Sequence, residues 1–346
     1  MGAAWYFVLA AMLTAYAVLD GFDFGVGIVH LVVARDDAER RVALAAIGPW
    51  WDGNEVWLIA AGGCFFFAFP RAYGAAFCGL YLPLMVTLWL IILRGLAIEL
   101  RPQIHHPLWR AAWDAVFAGA SAAMAIVLGV ALGNVLRGVP IDASGYFHED
   151  LFSGMGSHAA GAIDGFTAAT GVFALVLLGA HGASFLAWKT EGELATRARA
   201  LARRLWPMAL AAGVLATWLL FARDPAFFST VAARPWLWPL PAGAIAAAGI
   251  GWRALGARRD RLAFLSSSAF IVTMLLASAG VLYPAILTST VDPAFTIDAR
   301  SAATGSGTLA VGLAILGPAL AVACGYFVFL FRAFRGKVDV AAYDHD

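Results

Sequence analysis

Long apolar runs separated by short polar connections dominate this chain. A helix needs roughly 20 mostly apolar residues to cross the hydrocarbon core of a bilayer. Nine stretches qualify: about 4–33, 50–70, 74–99, 110–136, 160–187, 205–222, 236–252, 262–283 and 307–331. The connections test that count. Basic residues around the ends of spans one, three, five and seven and in the C-terminal tail make up 18 of the 23 Lys and Arg. Those following spans two, four, six and eight number five. Such alternation is the positive-inside signature. It places the N-terminus outside and the C-terminus in the cytoplasm, and a missed or extra span would break the pattern beyond it. The expectation is an all-α polytopic membrane protein with nine transmembrane helices.

Composition agrees. Of 346 residues, 62% are hydrophobic and 13% charged, about half the roughly 25% charged content of soluble domains. The net charge of +1 favours no particular partner and gives no footprint for nucleic acid. The N-terminal run MGAAWYFVLA lacks the basic segment of a cleaved signal peptide, so it is read as the start of a retained span. Cys64, Cys78 and Cys324 lie in apolar segments without a CxxC pair. Neither a disulfide framework nor a thiolate metal site is indicated.

Against this apolar background a few charged residues stand out. Asp20 and Asp23 fall inside span one, which has no Lys, Arg or Glu between Ala3 and Val33. Ionisable groups at membrane depth are costly, and they mark bundle interiors, ion pathways or proton relays. The i,i+3 spacing puts both on one helix face. In the predicted orientation Asp23 lies about 4.5 Å closer to the cytoplasm than Asp20. Span two opens with Trp50-Trp51-Asp52-Gly53-Asn54-Glu55, where Asp52 and Glu55 repeat the spacing. Span three closes with Arg94 and Glu99. Three consecutive helices thus place carboxylates at or above the cytoplasmic end, an arrangement suited to a proton relay.

Plainer readings stand beside this one. Asp52 is also a candidate N-cap, favoured by the positive helix end, and Glu55 a capping-box partner. Arg94 serves either as an inside-positive anchor or as the counter-ion of Asp52, Glu55 or Glu99. Glu99 is placed to pair with Arg101 at the solvated interface, and Asp114 to snorkel or cap. His30 and His181, with Met12, Met85 and Met124, show no spacing that specifies a haem, so the histidines are read as hydrogen-bonding residues. His158 lies in the connection after span four. A short echo, Asp20-Gly21-Phe22 against Asp164-Gly165-Phe166, suggests two related bundles.

The motifs carry a resemblance. Leu19-Asp20-Gly21-Phe22-Asp23-Phe24-Gly25-Val26-Gly27, followed by Gly48-Pro49-Trp50-Trp51-Asp52-Gly53-Asn54-Glu55-Val56-Trp57-Leu58, closely resembles subunit II of the cytochrome bd-type quinol oxidases, the cyanide-insensitive branch included. Gly133-Asn134-Val135-Leu136-Arg137-Gly138-Val139-Pro140, Lys189-Thr190-Glu191-Gly192-Glu193-Leu194 and Tyr283-Pro284 extend it over essentially the whole chain.

The resemblance implies a single integral membrane domain of two four-helix bundles, 1–137 and 160–283, plus a peripheral helix at 307–331. It implies a multi-pass protein of the bacterial inner membrane, part of a respiratory-chain oxidoreductase. A haem-bearing subunit I would carry the b-type and d-type haems. Quinol and dioxygen would be the substrates of the complex. This chain would bind no haem itself and would stabilise subunit I. A structural quinone and a small accessory subunit are further candidates. Carried over by position, Asp52 and Glu99 match acids of the family's cytoplasmic proton path. Asp20, Asp23, Glu55 and Arg94 match polar residues nearby. Glu55 is Gln in some members, and Glu99 is Asp in others. A proton- or cation-coupled secondary transporter is the rival, since it also uses intramembrane acids.

Overall fold

A computed structural model describes residues 1–148, 150–152 and 161–338. Helix α1 spans Gly2–Val33 without interruption. At 1.5 Å per residue it is about 48 Å long, more than a bilayer core of about 30 Å, so it tilts or protrudes. Ala34 leaves helical geometry with φ −93° and ψ 111°. A short surface helix, α2 (Asp37–Ile47), follows. Its start is fixed by the Asp36 carboxylate accepting from the Glu39 N–H at 2.9 Å. Val42, Ala43, Ala46 and Ile47 turn inward.

Spans two and three differ in detail from the expected 50–70 and 74–99. Helix α3 covers Trp51–Ala68, α4 Pro70–Gly79 and α5 Tyr81–Leu100. Proline drives the first break. Phe69, immediately before Pro70, is pushed out of the α region to φ −136° and ψ 61°. Pro83 sits in the first turn of α5, where its missing N–H costs nothing.

The remaining helices follow the apolar stretches with shifted ends, except α9, which falls in the expected connection between 222 and 236. They are α6 (Pro107–Arg137), α7 (Gly165–Lys189), α8 (Gly192–Arg223), α9 (Pro225–Ala233), α10 (Pro239–Gly256), α11 (Asp260–Leu282) and α12 (Ser306–Ala333). Trp236 falls in a 3-10 turn, so α10 starts three residues later than expected. A two-stranded antiparallel ribbon, β1 (Ala285–Leu287) with β2 (Ile297–Asp298), lies between α11 and α12. Among the described residues, seven helices are long and apolar enough to cross a membrane: α1, α5 with its terminal turn, α6, α7, α8, α11 and α12. Helices α3 and α10, at 18 residues each, are shorter.

Helix α1 is central, with α3, α6, α7 and α11 packed around it. Backbones meet where α1 crosses α7. A Cβ on Gly25 would stand 2.1 Å from the Leu178 carbonyl oxygen, and one on Gly182 would stand 2.0 Å from the Gly25 carbonyl carbon. Small residues at such crossings let helices approach when lipid supplies no hydrophobic drive. Phe22 stacks on Phe185 at 4.2 Å, and His181 stacks on Phe264 at 4.9 Å. In α12 only Leu309 and Leu330 are buried.

Candidate functional site

Five polar side chains converge where α3 and α5 meet the middle of α1. Asp20, Asp23 and Asn54 are wholly buried, and Arg94 is 1% exposed. Arg94 donates from Nη1 to Asp20 Oδ1 at 2.5 Å and from Nη2 to Glu55. Its guanidinium carbon lies 4.4 Å from the centre of the Phe24 ring, so an aromatic face adds to its hold. Asn54 Nδ2 donates to Asp23 Oδ2 at 2.8 Å and to the Leu19 carbonyl at 3.0 Å. Arg94 is therefore the counter-ion of Asp20 and Glu55, not of Asp52 or Glu99.

Two carboxyl groups thus share one guanidinium, and a third, that of Asp23, is held by Asn54 one helical turn away. The charge of the cluster depends on how many protons it holds. Asn54 Oδ1 and Arg94 Nε in it are buried and without a hydrogen-bond partner in the chain, and Asp20 has Tyr16 and Asp23 within reach of its second oxygen. Buried polar atoms normally have partners, often water. A cluster with free lone pairs and variable proton count can accept and release protons.

Asp52 and Glu99 are placed differently. Both are exposed and, among the described residues, neither side chain makes a hydrogen bond or ion pair. Asp52 is not the N-cap of α3. Trp50 holds that position and makes no side-chain cap bond, while Asp52 sits within the first turn. Glu99 does not pair with Arg101, which turns inward to Asp114 at 2.6 Å and Asp37 at 2.8 Å. Asp52 heads an exposed stripe on α3 that continues through Val56, Ile59 and Phe66. Glu99 ends a comparable face on α5 with Leu82, Trp89 and Leu96.

A second ionic cluster was not anticipated. Asp114, 1% exposed, binds His30 Nε2 at 2.7 Å, Arg101 Nε at 2.6 Å and Arg40 Nη1 at 3.1 Å. Arg101 and Arg110 both reach Asp37. The sequence signal is a set of acids and bases at equal depth, in which Arg40 and Arg110 read as orientation markers and Arg101 as a partner of Glu99. His181 is a hydrogen-bonding residue as read, with Nδ1 2.7 Å from Ser267 Oγ and Nε2 3.1 Å from the Val18 carbonyl. Asp164 is no counterpart of Asp20. It caps α7 from outside the helix, accepting from the Phe166 and Thr167 N–H groups. Burial pushes its carboxyl up, but the Thr167 amide and the Arg137 and Arg223 charges outweigh that and hold it below the usual carboxylate range. His158 lies outside the described residues.

Comparisons with known proteins agree with this architecture. The family described as "Cytochrome bd terminal oxidase subunit II" matches residues 1–334. The "Probable cytochrome oxidase subunit 2" of Haemophilus influenzae is 30% identical over 361 aligned positions, covering 97% of this chain and 94% of that protein. The "Cytochrome bd-I ubiquinol oxidase subunit 2" of Escherichia coli K12 is 36% identical over 225, covering 64% and 57%. A chain of the bd oxidase from Geobacillus thermodenitrificans shares the fold, with a TM-score of 0.75 at 17% identity over 96% of this chain and 98% of that one. The chain is a multi-pass membrane protein and belongs to the cytochrome bd terminal oxidase subunit II family, as one subunit of an oxidoreductase complex.

Proposed function

We propose that this chain is the haem-free second subunit of a respiratory quinol:oxygen oxidoreductase, and that it carries protons from the cytoplasm towards a haem-bearing subunit I. One observation carries the reading. Asp20, Asp23 and Glu55 surround a single Arg94 inside the chain, while Asp52 and Glu99 stand exposed on the two helices that supply Glu55 and Arg94. In this reading Asp52 and Glu99 take up protons, Asp23 and Asp20 receive them, and Arg94 balances the buried charge. Glu55 links the exposed and buried groups.

The partner would cover the exposed apolar faces of α3 and α5. Nine spans with the N-terminus outside, α3 and α10 included, put Asp52 and Glu99 at the cytoplasmic side of that face. The bundles would comprise 1–137 and 160–283, with 307–331 peripheral.

The histidines support placing the haems elsewhere. Haem iron needs an axial nitrogen or sulfur. Both His181 nitrogens are engaged, and His30 is wholly buried with Asp114 on its Nε2 and the edge of its ring against Phe117. No step in this chain is assigned to a haem. A coupled transporter would place such charges in broken helices, whereas α1 is continuous through Asp20 and Asp23.

Asp52→Asn keeps volume and removes ionisation. In the purified complex it should lower quinol oxidase turnover by roughly tenfold or more, at the weaker end of what proton-transfer groups contribute. Haem content per complex should stay at the wild-type level. Unchanged turnover would remove Asp52 from the path.

A further inference from the structure

The cytoplasmic half of α1 presents a second polar line. Tyr16, Asp20, Asp23, Gly27 and His30 follow one another at spacings of four, three, four and three, and all are buried. At 100° per residue they fall within an arc of about 80°, so they form one stripe. Its lower part faces α6. His30 Nε2 meets Asp114 Oδ1 at 2.7 Å. The His30 ring also stands edge-on to Phe117 at 5.4 Å. At Gly27 a Cβ would lie 2.1 Å from Ser121 Oγ, so glycine lets that hydroxyl abut the α1 backbone.

Three polar atoms along the seam are buried with no partner in the chain: His30 Nδ1 and Asp23 Oδ1 of α1, and between them Ser121 Oγ, which reaches in from α6 opposite Gly27. Asp23 Oδ1 is the oxygen that Asn54 does not hold. Along α1, His30 to Gly27 is a rise of about 4.5 Å and Gly27 to Asp23 about 6 Å, so water would have to bridge these groups for a proton to pass between them. A purely structural His30–Asp114 pair needs only one ring nitrogen. It gives no reason for the next two polar atoms on the same seam to be left unbonded.

We propose that the α1/α6 seam is a second cytoplasmic proton feed, running from Asp114 and His30 past Ser121 to Asp23. It rests on the reading of Asp20 and Asp23 as proton-accepting groups and adds an entry independent of Asp52 and Glu99. The charged groups around His30 are Asp114 from α6, Arg40 from α2 and Arg101 after α5. Asp37 and Arg110 stand behind Arg101. Arg197 of α8 donates to the Val33 carbonyl at the end of α1. Arg40 and Asp37, 26% and 40% exposed, give the cluster its opening to water.

Each passage moves one proton and no electrons. The Nδ1–H bond of a doubly protonated His30 breaks, an O–H bond forms on the bridging water at Ser121, and that water passes a proton to Asp23 Oδ1. The ring keeps its Nε2–H, so a half-turn of the imidazole must first bring the bare nitrogen to the Asp114 side, where it takes up the next proton.

The test uses the whole complex with its partner subunit. His30→Gln and Ser121→Ala are each made in the native sequence and in an Asp52→Asn, Glu99→Gln background that closes the first entry. In the blocked background each should lower residual quinol oxidase turnover by a further tenfold or so, the lower range for a lost proton-transfer group. In the native sequence the same changes should slow it by no more than about a tenth, because the first entry carries most of the flow. Equal effects in both backgrounds, or none in the blocked one, overturn the proposal. If His30→Gln fails to assemble, Ser121→Ala decides, since it removes one unbonded hydroxyl. Asp23→Asn is measured alongside. If it slows turnover while the seam variants do not, the second feed fails and the main reading stands. If Asp23→Asn is silent, both fail.

Discussion

The Arg94 guanidinium donates to Asp20 Oδ1 at 2.5 Å and also to Glu55, so one side chain ties α5 to both α1 and α3. Its side chain is 1% exposed. Removing one member of a buried pair is far costlier than never having built it, because the remaining charge is stranded. Arg94→Met should destabilise the chain by about 3–5 kcal/mol, read as a lowered thermal midpoint of the purified complex. Arg94→Lys keeps the charge but loses the fork that reaches two acids at once. Its midpoint should fall between those of Arg94→Met and the native protein.

Glu55 shares Arg94 with Asp20 but is less enclosed, at 17% side-chain exposure. Gln has a carbonyl oxygen in nearly the same place and can accept from the same Nη2. Glu55→Gln should therefore keep the assembly of α1, α3 and α5, with turnover above about half the native rate if the main flow runs from Asp52 to Asp23. The check is a side-by-side assay with Asp52→Asn, in which the proposed intake group should matter more than the linker. A Glu55→Gln complex as slow as Asp52→Asn would make Glu55 an obligatory carrier.

At the crossing of α1 and α7, neither Gly25 nor Gly182 has room for a methyl group. The nearest atoms, 2.1 and 2.0 Å from the hypothetical Cβ positions, are backbone and cannot rotate away. Either Gly25→Ala or Gly182→Ala must separate the helices and loosen the Phe22–Phe185 stack beside them. Overpacking typically costs about 1–3 kcal/mol, and backbone-to-backbone contact puts these sites at the upper end. Expression with the partner subunit should yield less assembled complex for both variants. Gly249→Ala on α10, where a Cβ meets nothing within 4 Å, should behave as native.

What could be read in advance follows from which signals are local. Asp20 and Asp23 are visible because a charge inside an apolar run has no other local explanation, and the same holds for the course of most helices. The break at Phe69 is legible in principle from Pro70, yet apolar composition alone merges α4 with its neighbours. The partner of Arg94 is not local. Three acids lie at compatible depths, and only the crossing of α1, α3 and α5 selects Asp20 and Glu55. The expected Glu99–Arg101 pair fails for a reason that sequence does contain. Residues two apart on a helix point in different directions, and Arg101 turns to Asp114 while Glu99 stays outside. The His30–Asp114 cluster is hidden in the sequence because a base that marks the cytoplasmic side gives no local sign that it also holds a buried acid.

Asp164 gives a prediction with a definite pH dependence. It caps α7 through the Phe166 and Thr167 N–H groups and pairs with Arg137 at 2.9 Å and Arg223 at 3.3 Å. Burial works against its charge, but the Thr167 amide and the two arginines prevail, and the carboxyl is held below its usual range. A carboxyl more acidic in the folded than in the unfolded chain stabilises the fold above its unfolded pKa of about 4. That contribution fades as pH falls from there towards the folded value. Asp164→Ala should therefore cost about 1–2 kcal/mol near neutral pH, chiefly through the lost cap. The gap in thermal midpoint between native and variant complexes should be widest at neutral pH and narrow steadily below about pH 4. A protonated Asp still offers one acceptor to the helix end, so the gap should shrink without closing. A gap that widened on acidification would mean that the ion pairs with Arg137 and Arg223 do not hold the carboxylate in the folded protein.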